Sequence, residues 1–176
     1  MRLCDLKTRP AAGMTLPELL LAVLVLGLLA AVSLGGVGRS LARTRVEAAA
    51  RQLAVGLEQA RSQAQTSGNP CALALGSGGW REVTAGELIG ELPPCPVSEG
   101  RLPQGVRLSH NLPGALRISS NGLVLDGGTV VLGADGSELQ RCLVVSLPLG
   151  VVRMGKSLAA PGSAPRSSDC VVDPSL

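Results

Sequence analysis

Residues 13–38 read GMTLPELLLAVLVLGLLAAVSLGGVG, and from Met14 to Gly38 the sole ionisable side chain is Glu18. Leu19 to Val32 is free of polar side chains. At ~1.5 Å per residue, a helix of about 20 such residues spans the ~30 Å hydrocarbon core of a bilayer. A bilayer also imposes the helix, because each backbone polar group has to find its partner within the segment. The run therefore predicts a transmembrane helix over 14–38. Its entrance needs a reason, since a carboxylate inside a bilayer is costly. Locally, Thr15-x-x-Glu18 fits a capping box and Pro17 suits a first turn, where a missing N–H costs nothing. Capping accounts for the helix start. It accounts neither for Gly13 nor for the basic residues Arg2, Lys7 and Arg9 before it.

Taken with these flanks, Gly13-Met14-Thr15-Leu16-Pro17-Glu18-Leu19 resembles the type IV prepilin N-terminus: a short basic leader ending in glycine, then an aromatic or Met residue, Thr-Leu, one apolar residue, glutamate and a long apolar helix. The resemblance implies cleavage between Gly13 and Met14 by the prepilin peptidase, and N-methylation of Met14. It also implies that Glu18 pairs with the Met14 amine of a neighbouring subunit in a filament. Opposite charges attract strongly in a low dielectric, where a lone one is penalised. Pro17 departs from the commoner Ile or Val of that motif. Two other readings compete. A secretory signal peptide has a similar outline, but this apolar run exceeds the usual length and Ala30-Ala31-Val32-Ser33 is a poor cleavage site. A plain signal anchor would not be cut at all. In each case the basic leader faces the cytoplasm.

With 176 residues, the chain has room for one membrane segment and one modest domain. The leader contributes much of the net charge of +3, so nothing in the rest argues for nucleic acid or an anionic surface. Trp80 is the sole aromatic residue; the domain has to pack with Leu, Val and Ala and has no base-stacking platform. Of the five cysteines, Cys4 lies in the leader. Cys71, Cys95, Cys142 and Cys170 remain, an even number that favours disulfides in an exported domain. Three connectivities are open; the favoured one joins Cys142 to Cys170, pinning the tail to a sheet, and Cys71 to Cys95, closing a loop.

Beyond the apolar run, Gly35, Gly36 and Gly38 mark a weak point of the helix, either a close-packing site or, as the resemblance suggests, a hinge. Residues 39–67 are amphipathic: Val46, Ala49, Ala50, Leu53, Leu57, Ala60 and Ala64 recur at helical spacing, with Glu47/Arg51 and Glu58/Arg61 spaced to pair along the surface. Gly68-Asn69-Pro70 ends the helix. From Cys71 the pattern changes to short apolar stretches between turn residues. Strands are predicted at 71–75, 80–84, 106–109, 115–119, 123–125, 129–132, 142–147 and 151–153, with an irregular loop over 93–103 and a poorly ordered tail from Ser157. The domains expected are thus a leader 1–13, a transmembrane helix 14–38, its amphipathic extension 39–67, an antiparallel β domain 68–156, and a tail 157–176, flexible apart from Cys170.

This half is similar to the GspH/FimT class of minor pseudopilins. The similarity rests on Ala60-Arg61-Ser62-Gln63-Ala64, on Ile118-Ser119-Ser120-Asn121-Gly122, and on Gly128-Thr129-Val130-Val131-Leu132 followed by a strand ending near Gly150. It implies a pilin-like α+β fold in which two small sheets lie on the exposed half of the long helix. Some FimT-type relatives bind DNA through a Gly-Arg-x-Arg stretch. Here Val151 stands where the first arginine would fall, leaving Arg153 and Lys156 as candidates for a weak, salt-sensitive phosphate contact. A strand with solvated end charges is the favoured reading of that segment.

No constellation suggests catalysis. His110 has no Asp or Cys at a telling spacing and reads as a surface or edge residue. Asp126-Gly127-Gly128 and Asp135-Gly136-Ser137 lack the alternating acids of a calcium loop. Gly76-Ser77-Gly78-Gly79 is not followed by Lys-Ser/Thr and is a turn. The sequence therefore predicts a non-enzymatic subunit with no metal and no cofactor. It is expected to be held in the bacterial inner membrane with its C-terminal domain in the periplasm, its partners being the prepilin peptidase, other pilin subunits and the membrane. The alternative is an uncleaved, membrane-anchored, extracytoplasmic ligand-binding domain.

Overall fold

The computed structural model describes residues 14–84, 92–96 and 101–173, without the side chains of residues 32–37. The chain forms an α+β fold that divides into two compact units, residues 1–37 and 38–176. The helix α1 spans Leu16–Ser67. In the first unit, every described residue from 14 to 31 is exposed. The leader, including Gly13 and Cys4, lies outside the described residues. Among the described residues, no helix is long and apolar enough to cross a membrane; the described side chains of the apolar run end at residue 31. The backbone of α1 stays helical at residues 35, 36 and 38.

In the second unit, the predicted stripe is buried. Ala42, Val46, Ala49, Ala50, Leu53, Leu57, Ala60 and Ala64 all face the core. Five of these eight are alanines, and small side chains let strands come close to the helix axis. Among the described residues eight strands follow: β1 Cys71–Gly76, β2 Gly79–Glu82, β3 Val106–His110, β4 Leu116–Ile118, β5 Gly128–Ala134, β6 Arg141–Ser146, β7 Val151–Ser157 and β8 Cys170–Val172. They build two antiparallel sheets, one ordered β2-β1-β4 and the other β3-β5-β6-β7-β8.

The period of two along each strand sorts side chains between faces. Cys71, Leu73 and Leu75 of β1 join the core shared with α1, while Ala72 and Ala74 form a second small cluster with Val83 and Ala115. In the larger sheet, Val130, Leu132, Ala134, Leu143 and Val145 face the main core, with Val152 and Met154 against it. Because β1 and β6 are covered on both faces, they read in the sequence as continuous apolar runs instead of alternating ones.

Three expectations need correction. Residues 123–125 are no strand; Val124 makes one isolated bridge to Ile118. The chain passes there from one sheet to the other, with the Leu125 amide donating to the Arg117 carbonyl at 2.9 Å and the Val124 amide donating to the Pro148 carbonyl at 3.0 Å. Amides divided between two neighbours cannot build a ladder. The tail after residue 156 is also no structureless segment. It carries a 3-10 turn at Ser167–Asp169 and the strand β8, which pairs with β7. Its Ser/Ala/Pro composition is overruled by a disulfide from Cys170 to Cys142, by an ion pair from Asp173 to Arg141, and by a hydrogen bond donated by Asn111 Nδ2 to the Pro165 carbonyl at 3.1 Å. Finally, Glu47 pairs with Arg43 and Arg141, not with Arg51, because a buried guanidinium from β6 reaches it across the core edge.

Candidate functional site

Chemistry-bearing residues fall in two places, the start of α1 and the far strands of the larger sheet. At the start of α1, the Thr15 carbonyl accepts the amides of Glu18 at 3.0 Å and Leu19 at 3.1 Å. This opens the helix at Leu16 and places Pro17 in its first turn, where the lack of an N–H is harmless. Met14 is 69% exposed and Glu18 is exposed as well. Between them and residue 31, Leu16, Leu19, Leu20, Leu21, Val23, Leu24, Leu26, Leu28 and Leu29 each leave more than half of their surface open. A continuous apolar surface of this kind marks contact with a bilayer or with other protein.

On the larger sheet, Arg153 and Lys156 are both exposed. The register of β6 with β7 is unbroken from Ser146–Val151 to Arg141–Lys156. Residues three apart on a continuous strand point to opposite faces. The fold therefore does not bring Arg153 and Lys156 together as one phosphate-binding patch. His110 ends the edge strand β3 and is half-buried, with Nδ1 buried and unpartnered among the described residues.

The turns weighed as cation loops are occupied by arginine. Asp126 accepts Nε and Nη2 of Arg117 at 2.8 Å each, and the Arg117 amide at 2.9 Å. The Arg117 guanidinium holds the Asp126 carboxyl below its ordinary value, and the same pairing raises Arg117. Asp135 pairs with Arg107 at 2.9 Å. Among the described residues, no three His, Cys, Asp or Glu side chains gather as metal ligands.

Two disulfides staple the second unit: Cys71 to Cys95 and Cys142 to Cys170, across 24 and 28 residues of sequence. The first ties β1 to the loop after β2, where the Cys95 amide also donates to the Ala72 carbonyl. The second ties β6 to β8.

Sequence reasoning missed the contacts by which the helix grips the sheets. Trp80 donates its indole N–H to the Leu53 carbonyl at 2.6 Å and lies directly against Gly56. Arg61 donates to the Gly122 carbonyl at 2.9 Å and Gln65 donates to the Asn121 carbonyl at 3.1 Å. Gly122 has φ +71°, a backbone conformation that favours glycine, and a Cβ there would have to push the Gln65 side chain aside. Arg141 is 2% exposed, and its guanidinium joins Glu47 of α1 at 3.2 Å to Asp173 of the tail. Arg43, ahead of Arg141, holds the Glu47 carboxyl below its ordinary value, against the opposing effect of burial. A lone Gly in the alanine-rich residues 39–67 of the helix and a lone Arg opening an apolar strand were the available signals.

Comparison with known proteins adds one match. The family model described as type II transport protein GspH matches residues 49–148. That stretch runs from the buried helix stripe through all of β1 to β6. No curated protein matches the chain, and no solved structure does.

Proposed function

The chain belongs to the GspH family of type II transport proteins, whose members are structural pseudopilins that associate with other pseudopilin subunits, and on that premise we propose the following course for this one. It is made as a precursor, cut between Gly13 and Met14 by a prepilin peptidase, methylated at the Met14 amine, and held in the bacterial inner membrane by residues 14–38. Its second unit stands in the periplasm, and the subunit enters a pseudopilus.

The observation that supports this reading most is the run from Met14 to residue 31, where every described side chain is exposed and Glu18 is the sole ionisable group. Such a surface is stable only when covered, and in a bilayer or a helix bundle it is. A carboxylate at its head is then tolerated when an opposite charge meets it, and the new Met14 amine of a neighbouring subunit is such a charge. The work is mechanical and interfacial. The apolar helix packs with others, and the β domain, stapled twice, decorates the assembly. Uptake of DNA is not favoured, because Arg153 and Lys156 sit on opposite faces of β7.

Intact mass and N-terminal sequencing of the protein recovered from membranes of its own host test the proposal. A chain starting at N-methyl-Met14 is expected. An intact Met1 start would point to an uncleaved anchor carrying a ligand-binding domain, and a start beyond Ser33 to a secreted domain. In the same host, Glu18→Ala is expected to keep cleavage and lose assembly.

A further inference from the structure

The seven residues after the apolar run, Arg39-Ser40-Leu41-Ala42-Arg43-Thr44-Arg45, hold three arginines and no acid, and no acidic residue lies between Glu18 and Glu47. All three arginines are exposed on α1. Their surroundings treat them differently. Arg43 donates to Glu47 at 3.2 Å, and Glu47 also accepts from Arg141, whose other arm reaches Asp173. In that group two guanidiniums meet two carboxylates, so its charge is balanced. Arg39 and Arg45 have no ion pair among the described residues.

Six helical steps put Arg39 and Arg45 about 120° apart around α1 and about 9 Å apart along it. The buried stripe begins between them at Ala42. Two unmatched cations thus stand on either side of the helix, directly after the sequence turns from apolar to polar. In the proposed topology they follow the membrane segment on the side away from the leader.

We infer that Arg39 and Arg45 bind the phosphate groups of anionic lipids at the membrane surface; this rests on the membrane reading of residues 14–38 given above. The chemistry fits in three ways. A guanidinium presents a planar fork of donors matched to a phosphodiester, and is weakly enough hydrated to give up water for it. Long arginine side chains lay their stems on apolar surface while the head reaches the interface. Arg39 directly follows the proposed membrane segment 14–38 and Arg45 lies about 10 Å along the helix from its last residue, about one Debye length, close enough for the surface potential of anionic lipid to act on them. Arg43 takes no part, because Glu47 holds it.

The test uses the full chain in nanodiscs of equimolar phosphatidylglycerol and phosphatidylcholine, followed by mild detergent extraction and mass spectrometry of the lipid that stays bound. The wild type is expected to retain phosphatidylglycerol over phosphatidylcholine by about fivefold for each arginine, and to lose the preference in high salt. Arg39→Gln/Arg45→Gln is expected to abolish the preference while leaving the fluorescence of Trp80 unchanged. Equal retention of the two lipids by the wild type, or a preference that survives the double substitution, would overturn the inference and leave the membrane reading standing; the arginines would then be free for carboxylates of a protein neighbour. Release of the wild type from vesicles by alkaline carbonate would overturn the membrane reading and this inference with it.

Discussion

Gly56 and Trp80 are built for each other: a Cβ on Gly56 would lie 2.5 Å from Cδ1 of the indole, whose N–H donates to the carbonyl of Leu53 one turn earlier. The single aromatic residue of the chain thus docks the edge strand β2 on the helix at a position where the helix carries no side chain. In isolation, alanine would favour the helix over glycine by ~1 kcal/mol. Here it has to displace a buried ring, and overpacking of that kind costs about 1–3 kcal/mol. Gly56→Ala is therefore expected to lower the thermal midpoint despite its better helix propensity, with a shifted Trp80 emission. An unchanged or raised midpoint would mean that the indole moves aside freely.

The pH dependence of stability has a defined sign. Glu47 and Asp126 have carboxyls lowered by arginine partners, from ordinary values of 4.5 and 3.8. A group depressed on folding contributes stability that is present above its unfolded value and is lost as pH falls through its folded value. Stability is thus expected to hold near neutrality and to decline as pH falls below about 4. Thermal melts across that range, repeated on Asp126→Asn, measure it: the variant should be less stable at neutral pH and should lose less on acidification. Parallel curves for the two proteins would remove Asp126 from the account.

Arg141 is the side chain whose loss should reach furthest from its own position. Breaking a buried ion pair from one side costs about 3–5 kcal/mol, and the low end is expected for Arg141→Met because Glu47 and Asp173 keep 27% and 18% of their side-chain surface in solvent. Since both carboxylates lean on one guanidinium, Arg141→Met/Asp173→Asn should cost less than the sum of its single substitutions. Strict additivity in a denaturation series would show that the Arg141–Asp173 contact adds nothing to stability.

The two disulfides guard different parts of the unit. Closing 28 residues between Cys142 and Cys170 corresponds to about 3–4 kcal/mol of unfolded-state restriction. Cys142→Ser/Cys170→Ser is expected to lose about that much, with hydrogen-exchange protection vanishing at Cys170–Val172 and surviving in Cys71–Gly76, where the other staple remains. Uniform loss of protection across both sheets would contradict this division.

How far the chain could be read from its residues depended on whether the governing interaction was local. The helix stripe from Val46 to Ala64 was legible because a period of 3.6 records one buried face. Most strands were legible because turn residues bracket them. Leu123-Val124-Leu125 failed for a reason that no local pattern carries: apolar residues were needed there to cross between two sheets, and the crossing has the same composition as a strand. The tail failed because its order comes from Cys142, Asn111 and Arg141, all contributed by other elements.

By itself, then, the sequence determined what depends on neighbours along the chain: an apolar segment with Glu18 at its head, an amphipathic helix after it, a β domain behind Pro70, and four cysteines outside the leader. Among the three cysteine connectivities the structure holds the one the sequence favoured, and only the closed fold shows that Gly56 makes room for Trp80, that Arg141 joins helix to tail, and that Arg153 and Lys156 face apart. The reason is physical. Hydrophobic periodicity is written residue by residue, whereas a pairing between elements depends on register and close packing, which exist only once the sheets have closed on the helix.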